Sequence, residues 1–278
     1  MLYICATPIG NLSDITPRVI DTLREVDLIA AEDTRNSIKI LNHFDIKTPM
    51  TSYHEFNKFD KADELVLKMQ EGKDIAIITD AGTPCISDPG EILVKKCIET
   101  GIPVTSLPGA CACITALTLS GLSTRRFAFE AFLPSEKSDK KERKAVLTEL
   151  SNETRTMIIY EAPHHLISTL KDLCEALGDR KITLCKELTK KFENINCTTL
   201  EAAINYYNEN EPKGEYVLVI EGKNRADIEK ELRSSFEEMT LEEHMQMYLE
   251  KGIDKKEAMK LVAKDRGVSK RDIYNALL

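Results

Sequence analysis

The densest run of chemically capable residues is DAGTPCISDPG, positions 80–90. It holds two carboxylates, two hydroxyls, a thiol, two glycines and two prolines, and no basic side chain. Glycine lets a backbone approach a ligand closely, and proline stiffens the turn that does so. Three other short runs share this character: TPIGN (7–11), AEDTR (31–35) and PGACA (108–112). A polyphosphate is a poor fit to a loop with two carboxylates and no cation. A ligand with hydroxyls, an amine or a positive centre is a better one.

The common nucleotide cradles are absent. No two glycines are separated by a single residue, which removes GxGxxG, and no glycine pair is followed by Lys and Ser/Thr as in a Walker A loop. S-adenosylmethionine, with its ribose, ammonium and sulfonium, has the groups the loop suits, as do many other ligands.

The elements that must position these loops alternate between strand and helix. Apolar runs at Leu2–Ala6, Leu28–Ala31, Ile75–Thr79 and Pro103–Leu107 read as strands. Helices are expected from Pro17, over Ser37–His43, over Asp60–Gln70 and over Glu91–Thr100. This βαβ rhythm predicts a largely parallel sheet with the four loops gathered at the carboxyl ends of its strands. A small-residue helix over 109–122 leads into a second set. Its strands are 127–132, 156–160, 181–187 and 216–221, and its helices 141–150, 163–177 and 200–209. The fold class is therefore α/β, two α/β domains meeting at a cleft: residues 1–113 and 114–223, then a linker (224–238) and a helical tail (239–278). Tail helices are expected at 240–251, 255–265 and 269–277. Their spacing fits either a helix-turn-helix, with Lys270 and Arg271 opening the second helix, or a plain three-helix bundle.

Composition bounds the function. With 42% hydrophobic and 30% charged residues in 278, the chain reads as soluble and globular, without a secretory or membrane-spanning run, and is expected in the cytoplasm. The eight cysteines contain no CxxC pair and fall in apolar patterns, which predicts buried, reduced thiols. No metal site is expected, because the adjacent His164 and His165 cannot share a helix face. A net charge of −8 argues against indiscriminate nucleic-acid binding but leaves room for a local basic patch. The candidate is SEKSDKKERK (135–144), which also reads as a solvated helix start.

Taken together, TPIGNLSDIT, AEDTR, DAGTPCISDPG, PGACACITALTLSGL, YEAPHH, KELTKKFE and GEYVLVIEG resemble the ribosomal RNA small-subunit methyltransferase I family. That family belongs to the tetrapyrrole-methylase superfamily, and the resemblance spans about residues 2–223. The chain departs from the family pattern at His165 and Lys186, where arginine is usual, and at Ser123, where proline is common.

The resemblance implies a homodimer that uses S-adenosylmethionine to methylate a cytidine ribose 2′-hydroxyl in the decoding region of 16S rRNA. It implies a cofactor site at Pro8, Gly10, Asp80, Ala81, Gly82, Thr83, Pro84, Ile86, Pro108, Gly109, Ala110 and Tyr160. Substrate contacts are expected at Arg35, Lys140, Lys141, Lys144, His164 and Lys190. Glu32, Asp33, Asp80, Lys186 and Glu187 are all candidates for a base, and the sequence does not choose among them. Asp33 with Arg35, and Glu187 with Lys190, read equally well as ion pairs. Two other functions compete: methylation of a tetrapyrrole or another small molecule, and non-catalytic nucleic-acid binding through the tail.

Overall fold

The computed structural model describes residues 1–135, 138–224, 226–228, 230, 234, 236 and 239–277. Lys137 of the basic run and much of the expected linker lie outside the described residues.

The first sheet contains β1 (Leu2–Cys5), β2 (Leu28–Ala31), β3 (Met50–Ser52), β4 (Ile75–Ile78) and β5 (Val104–Leu107). Its order is β3-β2-β4-β1-β5, and every pairing is parallel. Helices α1 (Pro17–Glu25) and α2 (Thr34–His43) cover one face, and α3 (Lys58–Gln70) and α4 (Gly90–Glu99) the other. Both faces are thus dry, which is why β4 is apolar at every position: Ile75 and Ile77 join one core, Ala76 and Ile78 the other. The chain leaves β1 toward α1 and leaves β4 toward α4, on opposite faces. The loops after these two adjacent strands therefore part above the sheet and open a crevice. A two-residue bridge spans it, with Thr7 N–H donating to Gly82 O (2.9 Å) and Gly82 N–H to Thr7 O (3.1 Å).

The second sheet contains β6 (Phe127–Phe132), β7 (Thr156–Glu161), β8 (Lys181–Lys186), β9 (Asn194–Thr199) and β10 (Tyr216–Ile220), in the order β6-β7-β10-β8-β9. It is mixed: β6 and β7 are parallel, while β10 runs antiparallel to both neighbours and β8 antiparallel to β9. Helices α6 (Lys140–Ser151), α7 (Leu166–Leu177) and α8 (Leu200–Glu209) pack on one face. Helix α5 (Ala112–Leu119), shorter than the expected 109–122, packs on the other against Ile158, Val217 and Val219.

Two strands escape the sequence reading, β3 and β9. Both are edge strands, and neither has a buried residue: β3 is three residues long and half-buried, and β9 (NINCTT) is polar. Cys197 on β9 is exposed, and Cys85, Cys111 and Cys174 are half-buried, so the expectation of uniformly buried thiols holds for four of the eight.

The tail forms α9 (Leu241–Glu250), α10 (Lys255–Arg266) and α11 (Lys270–Ala276) around its own small core of Met245, Ala258, Val262, Ala263 and Ile273. Thr240 with Glu243 and Ser269 with Asp272 close capping boxes, and Gly267 (φ 66°) ends α10 in the left-handed conformation. Among the described residues no helix is long and apolar enough to cross a membrane.

Candidate active site between the two sheets

A cavity of about 520 Å³ lies where the first sheet's loops face the second sheet. One wall is the segment after β4: Thr79, Ala81, Gly82, Thr83 and Ile86–Pro89. Gly82 (φ 87°) adopts the left-handed backbone, and a Cβ there would meet Ile9 Cγ2 at 3.2 Å and Ala110 O at 3.4 Å. The Thr83 hydroxyl donates to Ala110 O (2.9 Å), which ties this loop to the one after β5. Asp88 Oδ1 accepts the N–H groups of Cys85 (3.0 Å) and Gly90 (2.8 Å), folding the loop back on itself.

The other wall comes from the second sheet: Phe132, Tyr160, Glu161, Cys185, Leu188, Lys190 and Glu215–Val217. Tyr160 Oη accepts the Cys113 N–H (3.1 Å) and so docks the start of α5 against β7. Lys190 Nζ donates to Glu187 Oε1 (3.0 Å) and Glu215 Oε2 (2.7 Å). Among the described residues, six non-glycines have positive φ, and five flank this cavity: Cys85, Ser87, Ala131, Glu187 and Thr189. Such conformations cost about 1–3 kcal/mol each and concentrate where binding geometry demands them.

Glu161 is the functional candidate that the sequence reading overlooked. It is buried, lines the cavity and accepts the Ala162 N–H (2.7 Å). It also accepts a short hydrogen bond from the Thr169 hydroxyl. Thr169 in turn accepts from Arg143 Nη2 (3.0 Å), and Arg143 Nε donates to Asp172 (2.8 Å). A carboxylate closing an apolar strand (TMIIYE) was the available signal. Arg143 sits inside the lysine-rich run yet is 6% exposed. It shares a helical stripe with Val146, Leu147 and Leu150, spacing that marks an inward position.

Of the expected cofactor residues, Ala81, Gly82, Thr83, Ile86 and Tyr160 line the cavity. Pro8, Gly10, Pro84, Pro108, Gly109 and Ala110 are not part of its wall. Gly10 and Gly109 do support it closely: a Cβ would come within 2.5 Å of Lys190 Cγ and of Ala6 Cβ respectively. Asp80 is exposed at the rim, where its carboxylate accepts from Asn36 Nδ2 (3.1 Å). Lys190 lines the cavity, His164 is exposed next to lining Pro163, and Arg35 lies in a rim depression. Lys140, Lys141 and Lys144 are exposed on α6; Lys140 and Lys144 line a different depression with Asp172 and Glu175.

The base candidates separate by their partners. Both Asp33 oxygens accept from Arg35 (Oδ1 from Nε at 3.0 Å, Oδ2 from Nη2 at 2.7 Å), and this pairing pulls the carboxyl down to about 2. Glu187 Oε1 is held by Lys190 and by the Glu215 N–H (2.9 Å). Both expected ion pairs therefore form. Glu32 differs. It lines the cavity, and its Oε2 accepts the Thr79 hydroxyl (2.5 Å) and the Asp80 N–H (3.4 Å). Its Oε1 has no hydrogen-bond partner among the described residues.

Cys111, at the start of α5, also lines the cavity, with its Sγ 3.3 Å from that of Cys113. The neighbouring Cys113 thiol draws the Cys111 thiol below its ordinary value, opposed by burial and aided by the Ile114 and Cys113 N–H groups. The thiolate is the reactive form, so alkylation of Cys111 should rise at a lower pH than that of an ordinary thiol. Burial pushes Cys5, Cys85 and Cys185 up to about 12 and Cys97 to about 11, which keeps them inert at neutral pH. Peptide mapping after iodoacetamide treatment of a Cys197→Ser chain tests this. A Cys111 rate that rises only above pH 8 would show that Cys113 does not donate to it.

A crevice at the carboxyl ends of a parallel sheet, closed by a second mixed sheet, is the arrangement that comparison with known proteins places in one class. The family model described as Tetrapyrrole (Corrin/Porphyrin) Methylases matches residues 1–204. Solved structures share the fold at low identity. Diphthine synthase aligns with a TM-score of 0.60 at 14% identity, over 80% of this chain and 90% of that one. The methyltransferase CobJ aligns with a TM-score of 0.60 at 18% identity, over 80% and 93%.

Within that class the chain belongs to the ribosomal RNA small subunit methyltransferase I family. The protein of that name from Synechocystis sp. is 47% identical over 100% of this chain and 97% of its own length. The one from Bacillus subtilis is 45% identical, over 99% and 93%.

Proposed function

We propose that this protein transfers a methyl group from S-adenosylmethionine to the 2′-hydroxyl of a cytidine in the decoding region of 16S rRNA, within the small ribosomal subunit. The observation that carries the cofactor assignment is the charge of the cavity. Glu32, Asp88, Glu161 and Glu215 line it, and Lys190 is the one cation among its described lining residues. Such a wall suits a ligand with an ammonium and a sulfonium and repels a polyphosphate. Small side chains at Ala81, Gly82 and Ala112 leave room for the ligand to approach the backbone. The rRNA substrate rests on the names of relatives that match the whole chain at 45–47% identity.

When bound, S-adenosylmethionine supplies an activated methyl. The chain's task is then alignment, for which well-oriented systems gain about 7–11 kcal/mol, together with removal of one proton. The Thr7–Gly82 bridge and the Thr83 hydrogen bond to Ala110 O hold the cradle rigid for alignment. Glu32 takes the proton: Thr79 fixes one oxygen and the other is available to the substrate hydroxyl.

The test is transfer of labelled methyl to small subunits that lack native modification, with the product mapped by 2′-O-methyl-sensitive primer extension. A single stop at a decoding-region cytidine is expected. No incorporation, with S-adenosylmethionine binding intact, would overturn the ribosomal substrate and move the reaction to a small molecule.

A further inference from the structure

Beside the cavity lies a second depression of about 370 Å³, framed by the loop after β2 (Glu32–Arg35) and the turn after β3 (Ser52, His54–Phe56). Glu32 lines both, so the two hollows meet at its carboxylate. The turn is rigidly built. Asn57 Oδ1 accepts the His54 N–H (2.8 Å), and Asn57 Nδ2 donates to Ser52 O (3.3 Å). Buried Tyr53 donates its hydroxyl to Pro89 O (2.9 Å), anchoring the turn to the cavity loop. All this order holds a phenylalanine in water, for Phe56 is 96% exposed. Its ring stands edge-on to His54, with centroids 6.1 Å apart. The Nδ1 atom of His54 is buried and has no hydrogen-bond partner among the described residues.

An exposed aromatic ring on a braced turn, beside carboxylates, suits a flat ligand with a polar edge. Single-stranded RNA is recognised in this way, by unstacked bases laid on aromatic rings and hydrogen-bonded at their edges. We propose that this depression is the base pocket for the target nucleotide: the cytosine stacks on Phe56 and its ribose lies at Glu32. The proposal rests on the reaction proposed above. Glu55, whose Oε1 pairs with Lys58 Nζ (2.6 Å), has its other oxygen left for the exocyclic amine of cytosine. Arg35 Nη1, not engaged by Asp33, is left for a phosphate oxygen. A base in this pocket places its attached 2′-hydroxyl at the junction where the proton acceptor stands, which explains why one carboxylate borders both hollows.

The experiment compares the wild type with Phe56→Ala, Phe56→Leu and Phe56→Trp chains. It measures methyl transfer to unmodified small subunits, S-adenosylmethionine affinity by calorimetry, and mass in solution by light scattering. Stacking on one aromatic ring is worth about 5- to 160-fold by alanine replacement. Phe56→Ala and Phe56→Leu should lose that much in kcat/KM with unchanged S-adenosylmethionine affinity, and Phe56→Trp should recover to within a few-fold of wild type. Equal kcat/KM in Phe56→Ala and wild type overturns the pocket. Full activity in Phe56→Leu also overturns it, since apolar area would then suffice. A changed mass in Phe56→Ala assigns the ring to a contact between copies and overturns it too. Should the wild type transfer no methyl at all, the reaction has failed rather than the pocket. Fluorescence anisotropy of a labelled, cytidine-containing single-stranded oligoribonucleotide then decides: weaker binding by Phe56→Ala supports the pocket, and equal binding overturns it.

Discussion

Glu32→Gln is expected to lower the turnover number for methyl transfer by about 10²–10⁴-fold, with S-adenosylmethionine affinity within a few-fold of wild type. Glutamine keeps the shape and an oxygen to accept the Thr79 hydroxyl, so the loop after β4 stays in place. What it loses is the capacity to take up a proton. Two of the other carboxylate candidates are poor replacements. Both oxygens of Asp33 are committed to Arg35, which holds its carboxyl near 2 and makes it a weak base. Glu187 is held by Lys190 and the Glu215 amide. Single-turnover kinetics beside a calorimetric titration separate the two quantities. Turnover unchanged by the replacement would mean that alignment alone drives the reaction and that the hydroxyl proton leaves to solvent.

Gly82→Val should weaken S-adenosylmethionine binding by about 30-fold or more while the chain still folds. A left-handed backbone costs an L-residue roughly 1–2 kcal/mol, and more for a β-branched one. Crowding adds about 1–3 kcal/mol, because the new Cβ already lies 3.2 Å from Ile9 Cγ2 before either methyl is placed. Both strains act on the bridge with Thr7 that spans the crevice. Gly101→Val is the control. Gly101 has a similar φ (+72°), but a Cβ there meets nothing within 4 Å. It should lower the melting temperature without touching affinity. Wild-type affinity in Gly82→Val would show that the loop after β4 does not hold the ligand.

The first sheet was legible where its strands are buried on both faces and read as unbroken apolar runs, such as IAII at 75–78. Each sheet also hid one edge strand. Three-residue β3 in the first and polar β9 in the second left no periodic signal. Nothing in the period of β10 says that it enters antiparallel between β7 and β8. Alternation reports which face is buried, not which neighbour is paired. The basic run shows the same limit from another side. Lys140, Lys141 and Lys144 are exposed as expected, whereas Arg143 among them is buried beneath the helix and reaches Thr169 and Asp172.

The parts can be read along the chain: four glycine-bearing or acidic loops at strand ends, a backbone cradle without a cation, and the family motifs. These are local properties, set by residue type and by spacing. Which parts meet was settled by the fold. It brought Glu161 to the cavity wall from the far half of the chain, and it divided the four candidate carboxylates by the partners each one found. It also set Glu32 on the border of two hollows, one of them closed by a turn about twenty residues further along the chain. Charge and hydrogen-bonding capacity are written in a residue, but whether they are spent on a neighbour or left for a ligand depends on what the fold places within about 3 Å.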